Sequence, residues 1–427
     1  MKKKYLVFLL IGLAVLTLAA CGKEKGMENP KEGDGSLEAI EGTWDGAIEV
    51  PGQPLPITIA IDKKGGEISI PAQGLHDYAL SKVELKGSEL TMEMNLQGQK
   101  MTFQGGYTEN ELSGMFTQAG QQFPFTLVLR GPELGERFEV DVKGGKLSAL
   151  LVEPQGDGPF PVMVIIAGSG PTDKDGNSEM TAGKNDSLKL IAQSLAEQGI
   201  ASIRYDKRGI GDNRLLATKE EDVRMDDFIK DAAAFVDWAK EDSRFDKVGI
   251  IGHSEGSLVG MVAAQKAEAD LFVSVAGIGR PMDVVLKEQL GEALPDELKK
   301  QAFDILERLK NGEVVKDVPQ ELAPVFRQSV QPYMMSMMAY NPVEQVKQLS
   351  IPVLVLNGDR DLQVTIADAE ALHGAKPDSK LVIVPTMNHV LKESPENREE
   401  NIATYTDPEL PLAEGLMESI IPFIQEN

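Results

Sequence analysis

From about residue 131 onward, apolar runs alternate with segments of helical spacing. The runs without a polar face cover residues 161–167, 200–205, 247–252, 271–276, 351–357 and 380–385. Strands that are covered by helices on both faces have this composition, so we predict buried parallel strands here. Amphipathic helical segments such as 186–198 and 224–241 lie between them. The pattern predicts a doubly wound, mostly parallel α/β sheet, preceded by an antiparallel edge pair at 138–142 and 147–152.

One long stretch interrupts this alternation. Residues 281–349 are helical and charged in pattern and contain no strand-like run. The insertion follows a predicted strand, and ligands of open α/β sheets bind beyond the carboxyl ends of the strands. We therefore predict a helical cap over the binding site at about residues 281–349. Its four methionines between residues 334 and 338 would either line an adaptable acyl pocket or form ordinary helix core.

The region before residue 131 has a different pattern of apolar and polar residues. Short alternating runs, bounded by Gly, Asn and Asp, cover residues 46–50, 56–62, 67–70, 83–85, 90–96, 100–107, 111–118 and 123–129. Regularly spaced runs of this kind predict antiparallel strands in a small barrel or a curled sheet. The predicted organisation is thus a small all-β antiparallel domain at 37–130 and an α/β domain at 131–427.

The first residues have the layout of an export signal. Three lysines at positions 2–4 precede an uncharged apolar stretch at 5–20, which ends in Leu-Ala-Ala-Cys21. This ending resembles the bacterial lipobox, in which the cysteine is lipidated and becomes the new N-terminus. We predict a signal peptide at 1–20, a lipid on Cys21 and a polar linker at 21–36. The protein would be exported and anchored by lipid to the outer face of the bacterial cell membrane or to the envelope.

Charge and cysteine content narrow the possible partners. The 427 residues contain 43 Lys and Arg against 67 Asp and Glu, a formal net charge of −24. Such a surface repels nucleic acid and acidic lipid, so we expect no nucleic acid partner and a membrane contact through the lipid alone. With Cys21 as the single cysteine, no internal disulfide or thiolate metal site can form. Nothing in the pattern indicates an oligomeric state.

The sharpest chemical signal is a G-x-S-x-G motif at residues 252–256. It follows the apolar run 248–251 and opens the helical stretch 257–267. A serine at such a strand-to-helix corner takes a strained backbone conformation, which lifts its hydroxyl toward bound substrate. The glycines leave room for the corner. We therefore predict Ser254 as a nucleophile.

A serine nucleophile requires a base, and the chain has four histidines. His76 lies in the β-region, His253 adjoins the serine and is expected to support the corner, and His373 ends a helical segment. His389 follows an apolar run, in a loop at the carboxyl edge of the predicted sheet. We predict His389 as the base.

An acid should follow a strand between the serine and the histidine. The segment 354–364 provides two candidates, Asp359 and Asp361. The oxyanion of the tetrahedral intermediate also needs two backbone N–H donors. One is expected from Glu255, the residue after the nucleophile, and the other from the glycine-rich loop at 167–177.

That loop, AGSGPTDKDGN, has two rival interpretations. A calcium site is disfavoured because the ligand spacing of an EF-hand is incomplete. A phosphate cradle is disfavoured because the lysine and hydroxyl of a P-loop are missing at the required spacing. We therefore predict neither a metal nor an organic cofactor.

Four segments together resemble the α/β-hydrolase superfamily, in particular secreted or lipoprotein bacterial carboxylesterases with an N-terminal β-domain and a helical lid. They are GSGPTDKDGN at 168–177, YDKRGIG at 205–211, the elbow, and the acid and histidine loops. The resemblance covers about 131–427, and the N-terminal part more loosely. It implies Asp361 as the acid, three residues past a glycine, and Ser169 as the second oxyanion donor. Ala167 stands where the family usually has histidine, so the loop would be held differently.

These residues predict a serine hydrolase that cleaves small-molecule carboxylic esters. The predicted lid and the family resemblance imply short to medium acyl chains. Two alternatives remain at this stage. A serine aminopeptidase-like enzyme or another acyl hydrolase would use the same triad, and an aminopeptidase would need an acidic clamp such as Glu255 for the substrate amine. A non-catalytic lipoprotein would use its β-domain to bind an envelope partner.

Overall fold

The structure is a computed structural model. It describes residues 37–427 except for residues 51–53, 71, 72, 74, 97, 109, 132, 179–183 and 218. The predicted signal peptide, Cys21 and the linker lie outside the described residues. Within the described part of the chain, no helix is both long and apolar enough to cross a membrane.

The described residues form two compact units. One extends to Glu133, and the other comprises Leu134–Ser178 and Lys184–Asn427.

The first unit is a nine-stranded antiparallel sheet that follows a short 3-10 helix at Leu37–Ile40. Its strands are β1 (Gly42–Ile48), β2 (Leu55–Asp62), β3 (Gly65–Ile70), β4 (Leu75–Ala79), β5 (Lys82–Lys86), β6 (Glu89–Leu96), β7 (Gln99–Thr108), β8 (Glu111–Gln118) and β9 (Gln121–Leu129). The strand order is β4-β3-β2-β1-β9-β8-β7-β6-β5.

Alternation of side chains builds the core of this unit. In β6, Leu90, Met92 and Met94 are buried, while the residues between them are more exposed. This is the period of two that one buried sheet face requires. Phe103 stands at the centre of an aromatic cluster, with ring centroids 4.7 Å from Phe116 and 5.2 Å from Phe125. The predicted all-β antiparallel architecture is confirmed.

The second unit contains eight strands and eleven α-helices in its described residues. The strands are β10 (Glu136–Val142), β11 (Gly145–Val152), β12 (Phe160–Ile166), β13 (Ala201–Tyr205), β14 (Phe245–His253), β15 (Leu271–Val275), β16 (Val353–Gly358) and β17 (Lys380–Val384). The helices are α1 (Ser187–Glu197), α2 (Met225–Glu241), α3 (Glu255–Lys266), α4 (Met282–Ala293), α5 (Asp296–Lys310), α6 (Ala323–Phe326), α7 (Gln331–Met338), α8 (Pro342–Lys347), α9 (Ile366–Ala375), α10 (Arg398–Ala403) and α11 (Met417–Glu426).

The strands of this unit form one sheet in the order β10-β11-β13-β12-β14-β15-β16-β17. The pairs β10–β11 and β11–β13 are antiparallel, and all the others are parallel. Alternate residues of β12 enter different cores: Val164 packs with α2 and α3 on one face, and Met163 packs with α1 and α11 on the other. Both faces are therefore covered, and the predicted doubly wound α/β fold is confirmed.

The helices α4–α8 lie between β15 and β16, where the sequence predicts a cap. Arg280 forms an ion pair with Asp368 at 2.8 Å and so joins the start of this segment to α9. In α7, Met334 and Met337 are buried in the hydrophobic core. These two methionines therefore belong to the helix core.

Candidate active site

Ser254 occupies a sharp corner between β14 and α3. Its φ of 54° and ψ of −120° are strained values for a residue with a side chain. The two glycines of the motif are required by close packing: a Cβ on Gly252 would overlap the carbonyl oxygen of Gly256, and one on Gly256 would overlap that of Ile166. The Ser254 N–H donates to the Val275 carbonyl at 2.9 Å, which ties the corner to the neighbouring strand.

His389 and Asp361 meet in the loops that follow β17 and β16. The Nδ1 of His389 lies 2.8 Å from the Asp361 Oδ2. The other carboxylate oxygen of Asp361 accepts the N–H groups of Gln363 at 2.7 Å and Val364 at 2.9 Å. Because a carboxylate only accepts, Nδ1 carries the proton and Nε2 is left as the basic nitrogen.

The other candidate acid lies elsewhere. The Asp359 Oδ1 accepts the Thr386 N–H at 2.7 Å, and Arg360 approaches the same oxygen at 3.8 Å. This carboxylate holds the loop that leads to His389. In the described part of the chain, the His389 ring hydrogen-bonds to Asp361 and not to the Ser254 hydroxyl. Such catalytic hydrogen bonds often tighten only when substrate binds.

The remaining histidines have other contacts. The Nε2 of His253 donates to the backbone carbonyl of His389 at 2.8 Å, and the two ring centroids are 5.0 Å apart. Burial, together with the nearby His389, lowers the pKa of His253 to about 4, so His253 is neutral at pH 7. His373 contacts the Ser379 hydroxyl at 2.9 Å, and His76 lies on β4 of the other unit.

The predicted oxyanion donors lie beside the nucleophile. Gly168 packs so closely that a Cβ there would lie 3.2 Å from the Ser254 Cβ. Among the described residues, no acceptor takes the N–H of Ser169, whose carbonyl accepts the Thr172 hydroxyl at 2.7 Å. Glu255 is the first residue of α3, so its N–H has no partner within the helix and lies at the positive end of the helix dipole.

Sequence reasoning did not find Lys207, which is buried beside this loop. Its Nζ donates to the Gly168 carbonyl, lies 3.9 Å from the Glu255 Oε1 and lies 5.5 Å from the Phe228 ring centroid. Burial lowers the pKa of Lys207, and the Glu255 carboxylate opposes that shift. The motif YDKRGIG at 205–211 contains this lysine, but nothing in the motif indicates which residue its amine contacts.

A phenol of the cap lies near the Glu255 carboxylate. The Tyr333 hydroxyl of α7 lies near the Glu255 carboxylate, and its own hydrogen bond goes to the Met225 sulfur at 3.9 Å. Burial and this carboxylate raise the pKa of Tyr333 well above its ordinary value. The Glu255 carboxylate is therefore paired with the Lys207 amine and lies near one phenol of the protein.

One pocket brings these elements together. It is lined by Ser169, Ser254, Glu255, Ile278, Met282, Val285, Gln289, Gln363 and Val364. Helix α4 of the cap supplies an apolar wall to this pocket, and the Gln289 side chain adds one amide to that wall. The Nε2 of Gln289 donates to the Gln363 carbonyl at 3.4 Å, and its Oε1 is buried without a hydrogen-bond partner in the described structure.

The carboxylates of the DKDGN loop hold the loop itself. The Asp173 Oδ1 accepts the N–H groups of Asp175 at 2.9 Å and Asn177 at 2.8 Å, and Asp175 pairs with Arg204. Among the described residues, no group of three or more His, Cys, Asp or Glu side chains could hold a metal ion.

Comparisons with solved structures return several esterases. Est1E from Butyrivibrio proteoclasticus, with bound ferulic acid, is 21% identical, with a TM-score of 0.44; the match covers 68% of this chain and 96% of that one. The Pyrococcus furiosus esterase PF2001 is 16% identical, with a TM-score of 0.44; the match covers 68% of this chain and 90% of that one.

Comparisons of sequence are more informative. The profile of the family described as "Serine aminopeptidase, S33" matches residues 184–395. The esterase EstD of Thermotoga maritima is 31% identical over an alignment of 294 positions, and the match covers 66% of this chain and 67% of EstD. The chain therefore belongs to the α/β-hydrolase superfamily. Within that superfamily it is a carboxylesterase-like protein.

Proposed function

We propose that the chain hydrolyses carboxylic esters through an acyl-enzyme on Ser254. The observation that carries this proposal is the hydrogen bond of 2.8 Å between His389 and Asp361, in the same unit as a strained serine that opens onto a pocket. The 31% identity to EstD, an esterase by name, supports the same reaction.

Each group has a definite role in this proposal. The Ser254 Oγ attacks the ester carbonyl while the His389 Nε2 takes its proton, and Asp361 stabilises the resulting imidazolium. The N–H groups of Ser169 and Glu255 hold the oxyanion. His389 then returns the proton to the leaving alcohol, and water releases the acid by the same steps in reverse order.

We propose short to medium acyl chains as substrates. Support comes from the pocket lining, because Ile278, Met282 and Val285 give it an apolar wall that suits an acyl chain. A series of p-nitrophenyl esters from acetate to laurate tests this range. We expect kcat/KM to reach its maximum among the shorter esters of this series, up to octanoate. A maximum at laurate would contradict the proposal.

The second candidate is a serine aminopeptidase, which the description of the matching family favours. Such an enzyme needs a free carboxylate for the substrate amine, whereas the Glu255 carboxylate already pairs with the Lys207 ammonium at 3.9 Å. Parallel assays with p-nitrophenyl butyrate and aminoacyl p-nitroanilides decide between them. Faster amide turnover would overturn the esterase proposal.

Labelling with a fluorophosphonate tests whether the chain is an enzyme at all. We expect the wild type to be labelled and the Ser254→Ala variant to be unlabelled and inactive. A wild type that is neither labelled nor active would favour the non-catalytic lipoprotein.

We also propose that the protein is exported and held at the membrane by a lipid on Cys21. The lysines at positions 2–4, the apolar stretch and the Leu-Ala-Ala-Cys21 ending support this location. Expression of a Cys21→Ser variant in a bacterial host tests it. We expect the variant to leave the membrane fraction, and retention there would contradict the proposal.

A further inference from the structure

Lys207 is a buried amine with a restricted set of contacts. The residue is 4% exposed, and its Nζ donates to the carbonyl oxygen of Gly168. A lysine is rarely buried to this degree unless its charge is paired and its donors are used. The Glu255 carboxylate at 3.9 Å supplies the charge, and the Gly168 carbonyl supplies an acceptor.

The contact with Gly168 fixes the orientation of a peptide group. The carbonyl of Gly168 and the N–H of Ser169 belong to the same planar trans peptide, so they point in opposite directions. When the ammonium holds the carbonyl oxygen on one side, the N–H is directed to the other side. Ser169 lines the pocket together with Ser254, and no acceptor among the described residues takes its N–H.

The same ammonium lies near the second oxyanion donor. Its counter-ion is the side chain of Glu255, whose own backbone N–H begins α3 next to the nucleophile. Ala167 precedes Gly168 and has no polar side chain that could hold the loop. The loop is instead held from the far side of the Gly168–Ser169 peptide.

We propose that Lys207 is a positioning residue of the oxyanion hole, whose ammonium aligns and polarises the Gly168–Ser169 peptide so that the Ser169 N–H meets the developing oxyanion. This inference rests on the proposed esterase function. The Lys207 amine does not contact substrate in this scheme, because it acts through the backbone.

The test compares Lys207→Met, which retains the length and apolar stem of the side chain, with the wild type. We expect kcat for p-nitrophenyl butyrate to fall about 100-fold, the usual effect of losing one oxyanion donor, with KM changed less than about threefold. A trifluoromethyl ketone, which forms a tetrahedral oxyanion on the serine, should show a Ki raised by a similar factor. A merely structural role would not raise this Ki in step with the loss of kcat.

Lys240→Met is the matched control. The Lys240 amine also binds backbone carbonyls, those of Ala267 at 3.2 Å and Glu268, but at the opposite end of α3. We expect its kcat and its Ki for the ketone to equal those of the wild type. Equal kcat and Ki in Lys207→Met and Lys240→Met would overturn the proposal.

A second variant covers the case in which Lys207→Met does not fold. Lys207→Gln is neutral and shorter, and we expect about a tenfold loss of kcat with a parallel rise of Ki. Unchanged values in a folded Lys207→Gln would equally reject the inference. A wild type that hydrolyses no ester would instead reject the proposed function, so the two failures are distinguishable.

Discussion

Protonation of His253 should control the stability of the second unit in acid. The side chain is 8% exposed, and its pKa in the folded protein is about 4 against an ordinary value of 6.5. Between these two pH values, the unfolded chain binds a proton that the folded chain does not bind. The free energy of unfolding therefore falls as the pH is lowered from 6.5 toward 4.

The size of this effect follows from the shift of about 2.5 pH units. At about 1.4 kcal/mol per unit, His253 destabilises the folded state by about 3 kcal/mol below pH 4, relative to a residue that does not titrate. Above pH 6.5 the penalty is absent because the imidazole is neutral in both states.

The matched variant is His253→Gln, whose amide can still donate to the His389 carbonyl. Urea unfolding is followed by fluorescence between pH 4 and 8. All proteins carry Trp44→Phe, so that Trp238 in α2 is the single tryptophan and reports on the second unit. We expect the stability of the wild type relative to the variant to fall by about 3 kcal/mol from pH 7 to pH 4. If the free energies of unfolding of the wild type and the variant differ by the same amount at every pH from 4 to 8, the reasoning is refuted.

Three further substitutions test the site and its packing. Asp361→Asn should lower kcat about 10⁴-fold with little change in KM, because the amide no longer stabilises protonated His389. Gly256→Ala should lower the free energy of unfolding by about 2 kcal/mol or more, measured in urea, because the new methyl overlaps a backbone carbonyl. Gln289→Leu should raise kcat/KM for p-nitrophenyl butyrate up to about tenfold, because an unpaired buried carbonyl no longer faces the acyl chain.

Each of these has a control. Asp359→Asn should leave kcat within about tenfold of the wild type, which is the scale of one lost surface hydrogen bond. An equal loss of kcat in Asp359→Asn and Asp361→Asn would contradict the assignment of Asp361. Gly374 in α9 has open space around its Cα, so Gly374→Ala should be neutral or stabilising by up to about 1 kcal/mol. A Gln289→Leu variant that loses activity on butyrate would show that its amide serves the substrate.

The parallel sheet was predictable because its strands are apolar on both faces. The run predicted at 161–167 is β12 at Phe160–Ile166, and the helix predicted at 224–241 is α2 at Met225–Glu241. The strands of the β-region were harder to predict from the sequence. The strand β4 was not predicted, because no residue of its short sequence LHDYA is fully buried and the alternation is weak. Strand β1 begins at Gly42 rather than at residue 46.

The residues of the site also differ in how far the sequence alone indicates them. Ser254 and His389 stand next to strong local patterns, and sequence alone indicates them. The contact of Lys207 with Gly168 spans 39 residues, and that of His253 with the His389 carbonyl spans 136. Such contacts depend on which strands become neighbours and on side-chain direction, and neither is encoded locally.

The position of β17 at the margin of the sheet has a consequence for heat inactivation. The nucleophile follows β14, which has strands on both sides, whereas His389 follows β17, which has one. Marginal strands detach at a lower free energy than central ones. On warming, the His389 imidazole should therefore lose its position while the central strands remain folded. Turnover should then stop below the melting temperature and return on cooling.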